Sequence, residues 1–337
     1  MSGCMINGSS PTYSSLVSSN KQYGGLEEGR VGAVHEAALL TNLLVVFKKN
    51  FEKVHDESLQ KITEILHDIS KKFNVNFDLT AREKVTRADF IGRDLVVVLG
   101  GDGTLTSISH NIDADTPVIG VNSHPIEDYP HGSFGFYMDS NVNSFAEDIV
   151  VALKGEAIIN QIPRLQAIID TTSGNRFTTD PAMNDLIIAN THQYAPSKYH
   201  LRRGDNKCRQ QSSGIVFSTW LGQGAWLNHI LEKETLQKLR TKVNAAQTDS
   251  HYFVVSREIS HKQREDHPWS WYDWTDKNTV ITSDMHRGYV VPDGWDEVHF
   301  NRGASITVNL EAPKLCLLTF RKSISDKLSE LITKDLV

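Results

Sequence analysis

Three glycines surround one acid in this sequence, at Gly100, Gly101, Asp102 and Gly103. Glycines let a backbone approach phosphate oxygens closely, and free N–H groups at a helix start attract anions. A carboxylate repels phosphate, so Asp102 suits such a turn only if it binds a metal ion or takes a proton from an attacking hydroxyl. A capped tight turn is the structural alternative, but the combination favours phosphate chemistry.

The segments on either side predict where this turn lies. Residues 95–99 form an unbroken apolar run of strand length, typical of a strand buried on both faces of a parallel sheet. Thr104 begins a segment with helix character. A strand, a glycine turn and a helix start place the turn at the carboxyl edge of an open α/β sheet, where such sheets bind ligands.

The surrounding segments predict a Rossmann-like α/β domain in the first half of the chain. Apolar runs of strand length occupy residues 42–50 and 116–122, and residues 74–79 predict a further short strand. Apolar residues spaced three and four apart predict an amphipathic helix over 57–73, and a second helix precedes Gly155. Strands alternating with helices indicate a parallel sheet.

Polar residues beyond the strand ends leave alternatives open. Lys48 and Lys49 follow the first strand, where they either face a polyphosphate or are solvated. His124 and His131 lie in an irregular segment after Asn122. No Cys or carboxylate stands near them at ligand spacing, so we interpret them as loop histidines and predict no metal site built by the protein.

From about residue 160 the chain changes to short apolar or alternating runs separated by turn residues, which predict an all-β, sandwich-like second domain. Only residues 222–240 have helix-like content there. A final strand and helix are expected to pack back on the first domain. The predicted parts are a disordered tail, an α/β nucleotide-binding domain, a β-rich domain and the final strand–helix pair, over residues 1–40, 41–158, 159–312 and 313–337.

Composition narrows the class of function. The net charge of −6 argues against a nucleic-acid binder, and no apolar run approaches the length of a membrane span. Cys4, Cys208 and Cys316 show neither metal-ligand nor disulfide spacing, which suits a reducing compartment. The first residues show no secretory signal and no convincing mitochondrial presequence. We expect a cytoplasmic protein, with the mitochondrial matrix as the alternative.

The pair "GGDGT…PVIGVN" resembles the NAD kinases. "DPAMNDLIIAN" is similar to the Asn-acid motif of that family, and "SSGIVFSTWLGQGAW" is similar to its glycine-rich segment. "HYFVVSREI" and "VVPDGWDEVHFNRGA" resemble the branch typified by the mitochondrial enzyme. The resemblance covers residues 42 to 310, although "GGDGT" alone also occurs in lipid kinases of the diacylglycerol and sphingosine type.

This resemblance implies transfer of the terminal phosphoryl group of ATP, with Mg²⁺, to the 2′-hydroxyl of the adenosine ribose of NAD, which gives NADP. It implies that Asp102 is the base and that the dinucleotide is bound by Asn122, Asn184 and Asp185. It also implies a homodimer. The other residues that it assigns to nucleotide binding are Gly100, Gly101, Gly103, Thr104, Ser213, Thr219, Gly222 and Ala225. The sequence leaves open NAD against NADH as acceptor and ATP against polyphosphate as donor.

One segment departs from the family pattern. A second Thr is replaced by Leu221 and a Ser by Gln223, which removes two hydroxyl donors, while the backbone N–H groups around Gly222 remain for anion binding. This departure keeps a catalytically impaired dinucleotide sensor as an alternative. A lipid or other small-molecule kinase that shares the glycine turn is the other alternative.

Two further features remain ambiguous. The Trp-rich segment 267–278 is interpretable as an aromatic platform for an adenine ring, as a subunit contact, or as a loop that packs its own aromatic rings. Arg202 and Arg203 lie on an alternating strand and therefore point to opposite faces. At most one of them reaches a phosphate, and solvation of both is the alternative.

Overall fold

A computed structural model describes residues 40–49, 53–128, 130–243 and 247–334 of the chain. The predicted disordered tail, residues 1–40, lies outside these ranges except for its last residue. The chain divides into two compact units. The described part of the first unit comprises residues 40–105, Asn111–Asn160 and Leu315–Ser323, and that of the second comprises Thr106–His110, Gln161–Lys314 and residues 324–334.

The first unit is built on a seven-stranded sheet. Its strands are β1 (Asn42–Phe47), β2 (Asn76–Ala81), β3 (Leu95–Gly100), β4 (Val118–Asn122), β5 (Ser140–Asn141), β6 (Ile158–Ile162) and β19 (Leu315–Thr319). Their order is β2-β1-β3-β4-β19-β6, with β5 beside β4. The pairs β1–β2, β1–β3, β3–β4 and β4–β19 are parallel. The predicted Rossmann-like α/β sheet is therefore confirmed.

Helices follow the strands, as the alternating pattern predicted. They are α1 (Lys53–Phe73), α2 (Arg87–Phe90), α3 (Asp102–Ser109) and α4 (Phe145–Leu153). The apolar face of α1, including Ile62 and Leu66, packs in the same core cluster as Val97 of β3. Every residue of β3 is buried, which explains why its sequence is apolar without alternation.

Helix α1 begins before the predicted start at residue 57, and polar contacts account for the difference. His55 is buried, and its Nδ1 lies 2.8 Å from the hydroxyl of Ser123. The hydroxyl of Ser58 donates a hydrogen bond to the carbonyl of Ser123 at 2.9 Å. The first turn is thus held by long-range hydrogen bonds to the end of β4, which apolar periodicity does not reveal.

The second unit is rich in antiparallel strands. Its strands are β7 (Gln166–Asp170), β8 (Arg176–Thr178), β9 (Asp185–Asn190), β10 (Ser197–Arg203), β11 (Asn206–Ser212), β12 (Ile215–Ser218), β13 (Tyr252–Ser256), β14 (Tyr272–Thr275), β15 (Thr279–Ser283), β16 (Arg287–Pro292), β17 (Val298–Asn301) and β18 (Ser305–Asn309). Its α-helices are α5 (Leu227–Ile230), α6 (Lys233–Arg240), α7 (His261–Asp266) and α8 (Ile324–Thr333). Short 3₁₀ turns occupy Leu221–Gly224 and Pro268–Ser270.

The strands of the second unit form two sheets around one core. One sheet has the order β11-β10-β15-β18-β7-β8 and the other has the order β14-β13-β12-β9-β16-β17. Leu201 and Ile306 of the first of these sheets share a buried cluster with Phe217 and Val254 of the second. The predicted β-sandwich-like architecture is therefore confirmed, with helical content at residues 222–240 as expected.

The C-terminal segment contributes to both units. Strand β19 pairs in parallel with β4 in the sheet of the first unit. Helix α8 is assigned to the second unit. Within the described ranges, no helix has both the length and the apolar character needed to cross a membrane.

Arg203 is the main polar exception in the sandwich core. Its side chain is only 3% exposed, and Nη1 donates a hydrogen bond to Asp273 Oδ2 at 2.8 Å. Among the described residues, its Nε and Nη2 atoms find no hydrogen-bond partner. Burial lowers the pKa of Arg203, and the neighbouring Asp273 opposes that shift. Solvation, as predicted for Arg202 and Arg203, is therefore wrong for Arg203.

We predict that Asp273→Ala strongly destabilises the second unit, because it leaves the buried Arg203 guanidinium without its carboxylate. The expected loss in the free energy of unfolding is about 3–5 kcal/mol. Arg209→Ala is the matched control, since it breaks the ion pair between the exposed Arg209 and Asp284 and should cost at most about 1 kcal/mol. Urea unfolding of both variants measures the difference, and equal losses would contradict the prediction.

Candidate functional site

The glycine turn lies between β3 and α3, as the sequence predicted. At two positions of the turn, the neighbouring side chains leave no room for a Cβ atom. A Cβ on Gly100 would lie 2.3 Å from the Thr104 hydroxyl, and a Cβ on Gly101 would lie 2.6 Å from the Ser133 hydroxyl. Nothing lies within 4 Å of the Cβ position of Gly103. Side chains therefore pack tightly against the start of the turn and leave its third glycine open.

Asp102 occupies the first position of α3 and holds the loop between β4 and β5. Its Oδ2 accepts a hydrogen bond from the N–H of Phe136, and its Oδ1 accepts one from the N–H of Tyr137, both at 2.8 Å. These two bonds orient the carboxylate group relative to the loop. The side chain is partly exposed rather than sealed in the core.

A cavity of about 300 Å³ borders the glycine turn in the first unit. Its lining includes the whole turn from Gly100 to Thr104 and residues beyond the ends of β1, β2 and β4. Asp102 supplies the one carboxylate among the described lining residues. The nitrogen-bearing side chains of the lining are those of Lys48, His55, Arg82, His124 and His131. This surface is chemically suited to a polyanion.

The cavity resolves several positions that the sequence left open. Lys48 lines it, whereas Lys49 is exposed and does not. His124 and His131 belong to the loop after β4, as interpreted from the sequence, and both also line the cavity. His55 was not singled out by the sequence, because it lies before the first periodic apolar residue of its helix.

Asn122 uses both ends of its amide to shape the same loop. Its Oδ1 accepts the N–H of His124 at 3.1 Å, and its Nδ2 donates to the carbonyl of Ser133 at 3.1 Å. The side chain is buried and lines a smaller cavity of about 70 Å³ beside α1. The structure therefore places Asn122 as a support for the loop around the main cavity.

The Asn-acid pair of the second unit lies against the glycine-rich segment. The Thr219 hydroxyl donates to the carbonyl of Met183 at 2.6 Å, and the Thr219 N–H donates to the carbonyl of Asn184 at 2.9 Å. The Gly222 N–H donates to the Thr219 hydroxyl at 3.0 Å. A Cβ on Gly222 would lie 2.1 Å from the Asn184 carbonyl oxygen, so no other residue fits without movement. Asn184, Thr219 and Gly222 are thus brought together.

Asp293, which the sequence analysis did not single out, completes this arrangement. Its Oδ2 accepts the N–H of Met183 at 2.7 Å, and its Oδ1 accepts those of Asn184 and Asp185 at 2.8 and 3.0 Å. Asp293 has a φ of +47°, a conformation that Asp tolerates better than most residues. In the sequence, one local signal pointed to this role of Asp293: it forms an acid–glycine pair with Gly294 at the end of an apolar strand.

Burial changes the protonation of this acid pair. Burial and the nearby charge of Asp293 raise the pKa of Asp185 to about 7, against a hydrogen bond from the backbone of Trp226. Burial raises the pKa of Asp293 to about 6, because the three backbone N–H groups and the charge of Arg164 offset only part of the effect. Asp185 therefore changes charge close to neutral pH.

The segment that departs from the family pattern turns its new side chains inward. Leu221 is buried. Gln223 is buried too, and its Nε2 donates to the carbonyl of Trp220 at 2.8 Å. Its Oε1 accepts a hydrogen bond from Arg240 Nε on α6 at 2.6 Å. Gln223 consequently stabilises the packing of this segment within the second unit.

Two predicted residues of the second unit remain, Ser213 and Ala225. Ser213 precedes β12, whereas Thr219 follows that strand, and the Ser213 hydroxyl donates to Glu258. Ala225 closes the 3₁₀ turn by donating its N–H to the carbonyl of Gly222 at 2.9 Å. Ser213 is therefore not brought to the Thr219 end of its strand.

The Trp-rich segment 267–278 divides between packing and a second cavity. The ring of Trp274 lies 4.4 Å from that of Phe253 and is buried. Trp271 lines a cavity of about 430 Å³, and the Arg264 guanidinium stacks over its ring at 4.1 Å. Trp274 thus packs against a ring outside the segment, whereas the rings of Trp271 and Tyr272, 4.7 Å apart, pack against each other within it.

Fold and site together define a class of protein. A parallel α/β sheet presents a glycine–acid turn over a basic cavity, and an antiparallel β-sandwich follows it in the chain. The family model described as "ATP-NAD kinase N-terminal domain" matches residues 33–154. An NAD kinase from Clostridium perfringens is 25% identical over 141 residues, which cover 41% of this chain and 47% of that relative. The matched chain thus spans about half the length of this relative.

Longer matches agree with the domain match. An NAD kinase from Thermoplasma volcanium is 21% identical over 301 residues, covering 89% of this chain and 94% of the relative. The crystal structure of an Archaeoglobus fulgidus NAD kinase in complex with ATP matches with a TM-score of 0.63 at 15% identity, over 87% of this chain and 99% of that one. The structure of yeast NADH kinase complexed with NADH matches with a TM-score of 0.66 at 15% identity, over 88% and 89%.

The family model and the relatives show that this chain is similar to NAD kinases, and the two structures show the shared fold. The resemblance read from the sequence is therefore confirmed at the level of the family. Assignment to the mitochondrial-type branch stays a prediction.

We predict that Gly222→Ala destabilises the protein, because its Cβ would overlap the Asn184 backbone. Overpacking of this kind costs about 1–3 kcal/mol. Gly103→Ala is the control: no atom lies within 4 Å of its Cβ position, and alanine favours a helix, so no loss of stability is expected. Thermal unfolding followed by circular dichroism compares them. A Gly222→Ala variant as stable as Gly103→Ala would show that the contact is not tight.

Proposed function

We propose that the protein is an NAD kinase that transfers the terminal phosphoryl group of ATP to the 2′-hydroxyl of the adenosine ribose of NAD, giving NADP. The observation that carries this proposal is the basic cavity at the glycine turn, with Asp102 as its carboxylate. The names of the relatives, and the ATP and NADH in the two similar structures, support it. Use of NAD rather than NADH, and of ATP rather than polyphosphate, is part of the proposal.

The donor phosphates bind in the cavity, against backbone N–H groups of the glycine turn. Gly100, Gly101, Gly103 and Thr104 form this turn, and the open space at Gly103 lets an oxygen approach the backbone. Lys48 neutralises phosphate charge from the opposite lining. Because Asp102 is the one described carboxylate of the cavity, a Mg²⁺ ion would be held largely by the donor phosphates, whose charge it neutralises.

Asp102 acts as the general base. A ribose hydroxyl is a weak nucleophile, and a carboxylate within hydrogen-bond reach orients it and accepts its proton. The two backbone N–H groups that bind Asp102 fix the orientation of its carboxylate. The same bonds tie the base to the loop that carries His124 and His131, so the base and the donor cavity are positioned together.

Asn184 and Asp185 bind the dinucleotide. Asn122 supports the loop around the cavity. An amide donates and accepts hydrogen bonds at once, and a carboxylate accepts from ribose hydroxyls, so this pair suits a nucleoside. Thr219 and Gly222 hold the Asn184 backbone. Ser213 and Ala225 remain proposed contacts on the basis of the family resemblance alone.

The alternative function is a dinucleotide sensor that binds NAD without turnover. The observation that favours it is the pair of buried side chains, Leu221 and Gln223, at positions where the family has hydroxyls. A lipid or small-molecule kinase that shares the glycine turn is a further alternative. By family resemblance we also propose a homodimer located in the cytoplasm, or alternatively in the mitochondrial matrix. Light scattering after size exclusion tests the dimer.

We predict that the purified protein forms NADP from NAD, ATP and Mg²⁺, and that Asp102→Asn lowers kcat by about 10²–10⁴-fold, the usual contribution of a general base. A coupled NADP-dependent dehydrogenase measures the product. Asp115→Asn, an exposed acid of the same unit, is the control and should keep wild-type activity. Because Asp102 also binds backbone N–H groups, the melting temperature of Asp102→Asn is measured in parallel.

Three results separate the hypotheses. Activity in the wild type that is lost in a folded Asp102→Asn variant supports the kinase. Measurable NAD binding without NADP formation by the wild type supports the sensor and contradicts the kinase. Phosphorylation of a diacylglycerol or sphingosine substrate, without NAD binding, supports the lipid kinase.

We also predict that Lys48→Ala raises the KM for ATP about tenfold, equivalent to ~1.4 kcal/mol, because it removes a cation from the donor cavity. Lys49→Ala is the matched control, since the neighbouring lysine is exposed and does not line the cavity. Steady-state kinetics at saturating NAD measure both variants. An equal change in the two KM values would mean that general surface charge, and not the cavity, attracts the donor.

A further inference from the structure

One carboxylate gathers three successive backbone N–H groups in the second unit. Asp293 accepts from Met183, Asn184 and Asp185, although 108–110 residues separate it from them in the chain. Successive N–H groups of an extended strand point to opposite sides, so their convergence on one carboxylate means that the chain bends immediately before β9. The bend lies at the Asn-acid pair of the proposed dinucleotide grip.

The opposite side of this bend is fixed as well. Thr219 binds the carbonyls of Met183 and Asn184 through its hydroxyl and its N–H. Gly222 packs directly against the Asn184 backbone. The Asp293 N–H in turn donates to the carbonyl of Asp185 at 2.8 Å. The backbone that carries the Asn184 and Asp185 side chains is therefore clamped between the Asp293 turn and the glycine-rich segment.

Asp293 also acts on Asp185 through its charge. Asp185 is only 7% exposed, and Asp293 disfavours its ionised form. The charged group that acts on Asp293 in turn is Arg164, which is buried and donates to the carbonyl of Ser109 at 2.9 Å. On neighbouring elements of the same unit, His110 follows Ser109, and its Nε2 lies 3.7 Å from Asp296 Oδ2. Asp180 lies close to this second pair.

We propose that Asp293 is a positioning residue for the dinucleotide: it holds the backbone of Asn184 and Asp185 in place and keeps a negative charge beside the Asp185 carboxyl. This inference rests on the proposed function, because it assumes that Asp185 receives a ribose hydroxyl. Asp293 touches neither the reacting atoms nor the donor in this scheme, and it acts through Asp185.

The consequence is a pH dependence whose direction is fixed. Asp185 accepts a hydroxyl hydrogen bond best as a carboxylate, and its pKa is raised to about 7. NAD binding should therefore strengthen as the pH rises through about 7 and weaken below it. Loss of the Asp293 charge lowers the pKa of Asp185, so the same rise should then occur at a lower pH.

Equilibrium binding of NAD, measured by calorimetry between pH 5.5 and 8.5 (about 1.5 pH units either side of neutrality) without any phosphoryl donor, tests this inference. For the wild type we expect a Kd about tenfold weaker at pH 6 than at pH 8, because one pH unit below the pKa leaves about a tenth of the carboxyl ionised. For Asp293→Asn we expect that ratio to fall to about threefold or less. For Asp185→Asn we expect weak binding that does not depend on pH.

Asp296→Asn is the matched control, since it makes the same change three residues along the chain. The single variants Asp296→Asn and His110→Ala should each keep the wild-type pH midpoint of NAD binding. That result would exclude the His110–Asp296 pair as the source of the pH dependence. An Asp293→Asn variant that loses thermal stability but keeps the wild-type midpoint would overturn the inference, because a purely structural role predicts that result.

Two further outcomes are decisive. If the wild type binds no NAD at any pH, the proposed function fails and this inference fails with it, whereas binding without a shifted midpoint removes this inference alone. If Asp293→Asn does not fold, Asp293→Glu replaces it. That variant keeps the charge but displaces the carboxylate, so we expect a midpoint near 7 with at least about threefold weaker binding at pH 8, and wild-type affinity would overturn the positioning role.

Discussion

The pair of hydrogen bonds from the Phe136 and Tyr137 N–H groups to Asp102 is the contact on which the candidate site depends. It joins the first residue of α3 to the loop after β4. The glycine turn places the carboxylate at the sheet edge, and the loop supplies the far lining of the cavity. Because charge-assisted bonds to backbone N–H groups are short and directional, they fix both partners at once.

The second unit uses the same physical device at a different place. Asp293 precedes Gly294 and gathers N–H groups, just as Asp102 stands between glycines and gathers two. In both places the negative charge is stabilised by peptide dipoles. Peptide groups cannot swing away as long side chains do, so the carboxylates are preorganised. The acid and its loop then behave as one structural element.

How far the sequence predicts this protein depends on the range of the interaction concerned. The apolar runs of β3 and β4 and the periodicity of α1 are local signals, and they located the sheet edge and the glycine turn correctly. The sequence did not predict the role of His55, because its stabilising contact is with the distant Ser123. The role of Asp293 was missed for the same reason, since its partners lie more than a hundred residues earlier. Burial of Arg203 required knowledge of which face of β10 meets the opposite sheet.

The altered glycine-rich segment shows what backbone contacts preserve when side chains change. The Thr219 hydroxyl binds the carbonyl of Met183, the Thr219 N–H binds the carbonyl of Asn184, and Gly222 packs against the Asn184 backbone. None of these contacts involves Leu221 or Gln223. Gln223 instead joins the segment to Arg240 inside its own unit. The replacement therefore removes hydroxyl donors from the segment without removing the framework that positions the Asn-acid pair. The backbone contacts that shape the Asn184 bend are therefore independent of the two replaced side chains.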